Sequence, residues 1–293
     1  MAVTLFDATL GATTLKQCSA ADFSPGNNIA PARASADITA SAHYVMFGEP
    51  RARWTTTDVE GALGAIDPTS GLSITSSNII LPWRVRSSGG TFVSGSNNIR
   101  VYGTDGLVIP QSVTVEQDGT ASMDLEAVFL STDGQTAPVS YDGSYSVSGP
   151  SYSTEFRLGP NSINGSDVTG ITGFTVNFGI ETELERVDGD TYAQAVYITA
   201  VNPTIDVRFR NQAVFASHGP LFDAMTAAVF SLREKSAGGT VVADTSEAHI
   251  TFTFADGIVD VQNLSAQESS TSVPTLRLVG EELTVATDQA LSA

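Results

Sequence analysis

Basic residues are scarce in this sequence: 14 Lys and Arg stand against 32 Asp and Glu in 293 residues, a formal charge of -18. Nucleic-acid binding draws its affinity from cations that displace counterions at phosphates, so so acidic a chain argues against a phosphate-gripping protein. It does not exclude a protein past which nucleic acid moves without being held. Cysteine is limited to Cys18, which excludes an intrachain disulfide and a disulfide-stapled scaffold. No stretch approaches the ~20 apolar residues of a membrane-spanning helix. The opening "MAVTLFDATLGATTLK" has neither a basic start nor a long apolar run, so no signal peptide and no membrane association are expected.

Catalytic patterns are equally sparse. The sequence has no G-x-S-x-G, H-E-x-x-H or Walker-type G-x-x-x-x-G-K motif. His43, His218 and His249 are far apart and fit no metal-ligand spacing, which reads as surface or capping roles. Cys18 has only Lys16 as a nearby base, so a packing role outweighs a nucleophile. Trp54 and Trp83 are isolated and read as core anchors. Carboxylates are abundant, and a glycosidase pair would need two of them held in one cleft. Asp188-Gly189-Asp190 supplies two carboxylates where calcium needs six or more oxygens. No catalytic residue, metal site or cofactor is expected, and the chain is not expected to be an enzyme.

What the sequence has is strand. Short β-branched and aromatic runs alternate with turn signals, as in "HYVMFG" (43–48), "ILPWRVR" (80–86), "SMDLEAVFL" (122–130) and "HITFTFADG" (249–257). Two segments read as helix. Residues 58–66 follow a possible cap at Thr57 or Asp58. Residues 220–232 place Phe222, Met225, Val229 and Leu232 at helical spacing, between Pro220 and Gly238-Gly239.

Residues 171–200 alternate over an unusual length. Phe174, Val176, Phe178, Ile180 and Leu184 share one parity; Thr175, Asn177, Glu181, Glu183 and Glu185 share the other. Successive strand side chains point to opposite faces, so one face is apolar and the other acidic. Asp188, Gly189 and Asp190 form the turn, where Asp-Gly suits positive φ. On the return strand Val196 and Ile198 are apolar, with Ala195 and Thr199 on the opposite parity. An ordinary half-buried antiparallel pair accounts for the pattern on its own.

The sequence also repeats itself. Residues 98–128 lie over 249–279 without a gap: Asp105 and Asp256 stand 151 residues apart, as do Gln111 and Gln262, and Leu125 and Leu276. Pro50 and Pro203 stand 153 apart, each between a hairpin and a strand. Similarity over such a period means duplicated domains rather than a solenoid. The Gly/Pro/Ser-rich run 148–170 marks the boundary, dividing the chain into modules 1–165 and 166–293.

The hairpin "GFTVNFGIETELERVDGDTYAQAVYIT", the Pro-started "NPTIDVRF", the segment "GPLFDAMTAAVFSL" and the closing "LRLVGEELTVATDQAL" together resemble the major tail tube proteins of long-tailed bacteriophages. "HYVMFGEPRARWTTTDVEGALGAI" is a looser copy in the first half. The resemblance implies a mainly β fold of two tail-tube-like β-barrel or sandwich modules, each with a long hairpin and one short helix. It implies a virion structural protein, assembled in the host cytoplasm, whose hairpins join into rings that stack into a tube conducting DNA. Rings hold six modules, so a two-module chain fits a pseudo-hexameric trimer, and a hexamer is the alternative. Other partners would be the tape measure, terminator and tail-tip proteins. Under this resemblance Thr175, Asn177, Glu181, Glu183 and Glu185 face the lumen and let DNA pass without specific binding, while Asp188, Gly189 and Asp190 turn a ring-forming hairpin. Phe174, Val176, Phe178 and Ile180 pack on the module's own sheet and helix. Arg51 and Arg53 belong to salt bridges between subunits or to a solvated strand edge. A surface β-sandwich module for carbohydrate binding or adhesion is the alternative reading.

Overall fold

A computed structural model of the chain describes residues 2–32, 42–86, 98–147, 152–210, 223–236, 239–263 and 274–291. Its first half runs through β1 (Ala2–Leu5), β2 (Ala8–Leu10), β3 (Thr13–Leu15), β4 (Cys18–Ser24), β5 (Asn28–Ala32), β6 (Ala42–Phe47) and β7 (Arg51–Thr56) into the helix α1 (Val59–Ala65). β8 (Leu72–Ile74), β9 (Ile79–Arg86), β10 (Asn98–Gly103), β11 (Gly106–Glu116), β12 (Ser122–Phe129) and β13 (Ser140–Tyr145) complete it. The second half comprises β14 (Glu155–Ile163), β15 (Ser166–Asp167), β16 (Ile171–Asn177), β17 (Ile180–Glu185) and β18 (Ala195–Val201). It ends with β19 (Thr204–Phe209), β20 (Asp223–Lys235), β21 (His249–Asn263) and β22 (Thr275–Gln289). The protein is mainly β.

One sheet of twelve strands is ordered β15-β14-β20-β21-β22-β19-β16-β11-β12-β7-β4, with β8 beside β11. A six-stranded sheet is ordered β13-β10-β9-β2-β3, with β1 on β9. Two hairpins, β5–β6 and β17–β18, form separate two-stranded sheets. We refer to them as arms.

The sequence repeat recurs in the hydrogen-bond ladders. Leu107 faces Val128 across β11–β12, and 151 residues further on Ile258 faces Val279 across β21–β22. Both ladders slip at the same place, between Pro110 and Ser112 and between Val261 and Asn263, where the matched Gln111 and Gln262 fall. With a 153-residue offset, Ser24 faces Arg51 across β4–β7 and Asn177 faces Thr204 across β16–β19. The arms agree as well, with Ala32 opposite Ala42 and Glu185 opposite Ala195. Leu10 faces Thr13, and Ile163 faces Ser166. A boundary after residue 165 therefore falls inside the β14–β15 hairpin. A single slipped residue would put every side chain on the wrong face, so shared register is a stringent form of likeness.

Buried polar groups repeat too. Asn98 accepts the Val85 amide through Oδ1 at 3.1 Å, and His249, 151 residues later, accepts the Glu234 amide through Nδ1 at 3.1 Å. His249 is fully buried, not a surface residue, and its Nε2 lies 3.0 Å from the Ala243 carbonyl. This fixes the tautomer that donates from Nε2.

The helix expected at 58–66 is present. Asp58 caps it by accepting the Gly61 amide at 3.3 Å, and Val59 and Ala62 face the core. The helix expected at 220–232 is not: residues 223–235 are β20, paired with β21 from Asp223 to Leu232, and 220–222 lie outside the described residues. Its ladder skips Thr226, opposite Asp256 at φ +50. The buried set thus becomes Met225, Ala228, Phe230 and Leu232, a step of three followed by steps of two. That broken alternation mimics a helical period.

The core lies on one face of the large sheet. Phe174, Val176 and Phe178 of the long alternating segment are fully buried there, and Phe174 packs edge-on to Phe230 with ring centroids 5.3 Å apart. The segment is not one continuous hairpin. It bends at Gly179 (φ +64), so β16 and β19 stay in the large sheet while β17 and β18 fold back as an arm. The Asn202 amide donates to the Gly179 carbonyl at 2.9 Å, and a Cβ on Gly179 would stand 1.9 Å from the Asn202 carbonyl oxygen. Gly179→Ala should therefore cost about 1–3 kcal/mol, read as a lowered urea midpoint with the slope unchanged; an unchanged midpoint would show that the bend is not constrained.

Candidate functional site

The face of the large sheet opposite the core is polar over β16, β19, β7 and the far ends of β11, β12 and β22, because residues alternate with the buried set. Thr175 and Asn177 lie on it, half-buried. Thr175 Oγ1 meets Thr114 Oγ1 at 3.2 Å, and Asn177 Nδ2 donates to Thr204 Oγ1 at 3.3 Å and to Asp206 at 3.4 Å. Arg277 grips Asp206 through two bonds of 2.7 and 2.9 Å, which holds its guanidinium above the ordinary arginine value. Arg208 pairs with Glu116 at 2.6 Å. Thr55 and Ser112 both donate to Asp124, at 2.6 and 3.1 Å.

Arg51 and Arg53 belong to this face as well. Both bond Glu126 of the same chain, at 2.9 and 3.0 Å, rather than lying unpaired at a solvated edge. Glu126 is nearly buried, its side chain 4% exposed, and it is held by charge-assisted bonds from both guanidiniums. Four arginines on this face are thus matched by carboxylates of the same chain. This pairing is not evident in the sequence, although Asp206 and Arg208 alternate visibly with Ile205 and Val207.

Glu181, Glu183 and Glu185 sit apart from Thr175 and Asn177, on the exposed face of the β17–β18 arm. Tyr197, across the arm, donates its hydroxyl to Glu185 at 2.5 Å, which raises the phenol's pKa. The arm's other face is apolar. Ile180, Leu184, Val196 and Ile198 close over Leu107, Ile109 and Val128 of the first half.

The arm's tip is anchored. The Asp190 amide donates to the Val187 carbonyl at 3.0 Å with Gly189 at φ +90, a tight turn inside the longer connection from Glu185 to Ala195. Asp190 accepts from Gln194 at 2.7 Å, and Gln135 reaches the Gly189 carbonyl at 2.9 Å. Thr191 and Tyr192 donate to the Gly134 carbonyl, both at 2.9 Å. Arg186 pairs with Glu49 and lies over the Phe47 ring, 4.8 Å from its centroid. Asp133 orders the receiving turn: the Thr136 amide, then its hydroxyl and the Gln135 amide, hold its carboxyl well below the usual carboxylate range.

Two other candidates resolve simply. Trp54 is buried in the core and offers no face to a sugar. Cys18 is buried, and desolvation pushes its thiol up to about 12. Among the described residues no group of three or more His, Cys, Asp or Glu is placed to hold a metal ion, and no helix is long and apolar enough to cross a membrane.

No protein-family profile matches the chain, and no curated protein matches it.

Two outcomes are expected. Glu126→Ala should destabilise by about 1–3 kcal/mol because two guanidiniums lose a desolvated partner. Glu116→Ala, removing a half-exposed partner, should cost about 0–1 kcal/mol; equal urea midpoints for the two would contradict the ranking. Cys18 should resist iodoacetamide at pH 8 in the native protein and react in denaturant. Its neutral burial contributes stability that is complete below the ordinary thiol value of 9.0 and is lost as pH rises toward about 12.

Proposed function

We propose that this protein is a structural subunit of a bacteriophage tail tube, built from two copies of one module that meet near residue 150. It assembles with itself into rings that stack into a conduit for DNA. The observation that carries the reading is the seam between the halves. β16 of the second half pairs with β11 of the first, from Ser112 opposite Asn177 to Glu116 opposite Gly173. In the repeated registers β16 corresponds to β4, and β4 lies at the end of the large sheet with one edge unpaired among the described residues. An open strand edge invites pairing with another chain. Repeating the internal seam from chain to chain would bring β4 of one chain to the Asn263 end of β21 in the next, past the part that β20 covers, adding the eight-strand run from β21 to β4 each time and pairing the open edge of β4 in a closed ring. With two modules per chain, three chains make a six-module ring, and a hexamer of chains is the alternative.

The polar face then lines the conduit. Its arginines are already matched by carboxylates, so it presents a duplex with charges that are largely neutralised in place. Glu181, Glu183 and Glu185 add an acidic surface on the arm. Such a wall offers a polyanion few unmatched cations to trade for its counterions, and passage proceeds without adhesion. The Debye length of about 8 Å at physiological salt confines the effect to a thin layer next to the wall. The particle's tape measure, terminator and tail-tip proteins are the other partners this reading implies.

The combined variant Glu181→Lys, Glu183→Lys, Glu185→Lys tests the conduit. These side chains are exposed, so the chain should fold and assemble, while particles carrying it should eject DNA more slowly. Ejection at the wild-type rate would remove these glutamates from the lumen.

A further inference from the structure

The two arms have the same register but different surroundings. β17–β18 lies on the first half, and beneath it Leu107, Ile109 and Val128 are at most 5% exposed. β5–β6 has no such cover among the described residues: Ile29 is 57% exposed and Val45 41%. With the 153-residue offset, Ile29 and Val45 occupy the ladder positions of Thr182 and Ile198, and Ile198 is packed in the covered cluster. The receiving face shows the converse. Ile258 stands where Leu107 stands in the other ladder, yet it is 40% exposed. Among the described residues, one arm is docked, the other is bare, and one docking face is uncovered.

We infer that the β5–β6 arm docks on the β21–β22 face around Ile258 of a second copy of this chain, as β17–β18 docks on β11–β12 within the chain. The inference rests on the self-assembly proposed above and adds the contact that locks neighbouring chains together. Two solvent-facing aliphatic side chains on a two-stranded hairpin are an exposed apolar feature that burial stabilises. The occupant is a second copy because the internal contact already supplies the matching surface. Polar replacements also fall on both sides of the joint. His43 takes the place of Val196 on the arm, while Asp260 and Glu281 take the places of Ile109 and Leu130 on the face. The bare arm thus carries an imidazole where the face has gained carboxylates, an arrangement that favours this face over the apolar site already filled by β17–β18.

The contact is head to tail, which makes it separable by mixing. One variant, Ile29→Asp with Val45→Asp, disables the arm and leaves the face intact. A second, Ile258→Asp, disables the face and leaves the arm intact. All three positions are exposed, so both variants should keep the wild-type circular dichroism spectrum. In sedimentation velocity the wild-type chain should assemble, and each variant alone should need about tenfold or more higher concentration. A one-to-one mixture should form dimers, because each mixed pair retains one intact arm and one intact face. Variants that assemble as readily as the wild type would overturn arm docking and leave self-assembly standing. Variants that stay monomeric when mixed would also overturn it, since their defects would then not be complementary. A wild-type chain that is monomeric at every concentration would overturn the self-assembly reading and this inference with it.

Discussion

The antiparallel seam between β16 and β11 is the constraint on which the rest of the molecule depends. It joins a strand of the second half to one of the first, and so merges two similar sheets into one. The seam buries Val113, Val115, Phe174 and Val176 on one side and aligns Thr114 with Thr175 on the other. From that single register follow both the shared core and the continuity of the polar face. The β17–β18 arm then bends back at Gly179 and closes over the first half, so the halves are held by a ladder and by a clasp.

The seam also separates the uses of the two faces. Aromatic and aliphatic residues from both halves fill one side, where Phe174, Phe230 and Phe252 meet edge to face. The other side can therefore be given over to paired charges. Desolvated charges cost free energy unless they are matched, and here Arg51 and Arg277 meet carboxylates on the adjacent strand, while Arg208 reaches across β16 to Glu116 on β11. Pairing across strands ties that charge pattern to the same register that sets the core.

Much of this was legible in the sequence. Period-two alternation marked the strands, the Asp188-Gly189 turn was placed correctly, and the gapless match of 98–128 with 249–279 anticipated ladders whose register and slip agree. The helix at 58–66 was readable because Asp58 caps it. The segment 223–235 was misread because a local break in the ladder at Thr226, with the same register on either side, turned strand alternation into an apparent helical period. The bend at Gly179 was hidden because alternation continues through it: Phe178 and Ile180 share a parity on either side of the break. The paired face was hidden for a different reason. Arg51, Arg53 and Glu126 are distant in sequence, and Asp206 and Arg277 lie 71 residues apart, so only the strand order brings them together.

The central claim is that the internal seam repeats between chains and closes. Negative-stain electron microscopy of the purified, concentrated protein tests it most directly. The account predicts rings or stacked hollow tubes with threefold symmetry and a sixfold appearance, each ring made of three chains. Open sheets or dispersed single chains at every concentration, with no ring of any symmetry, would contradict it.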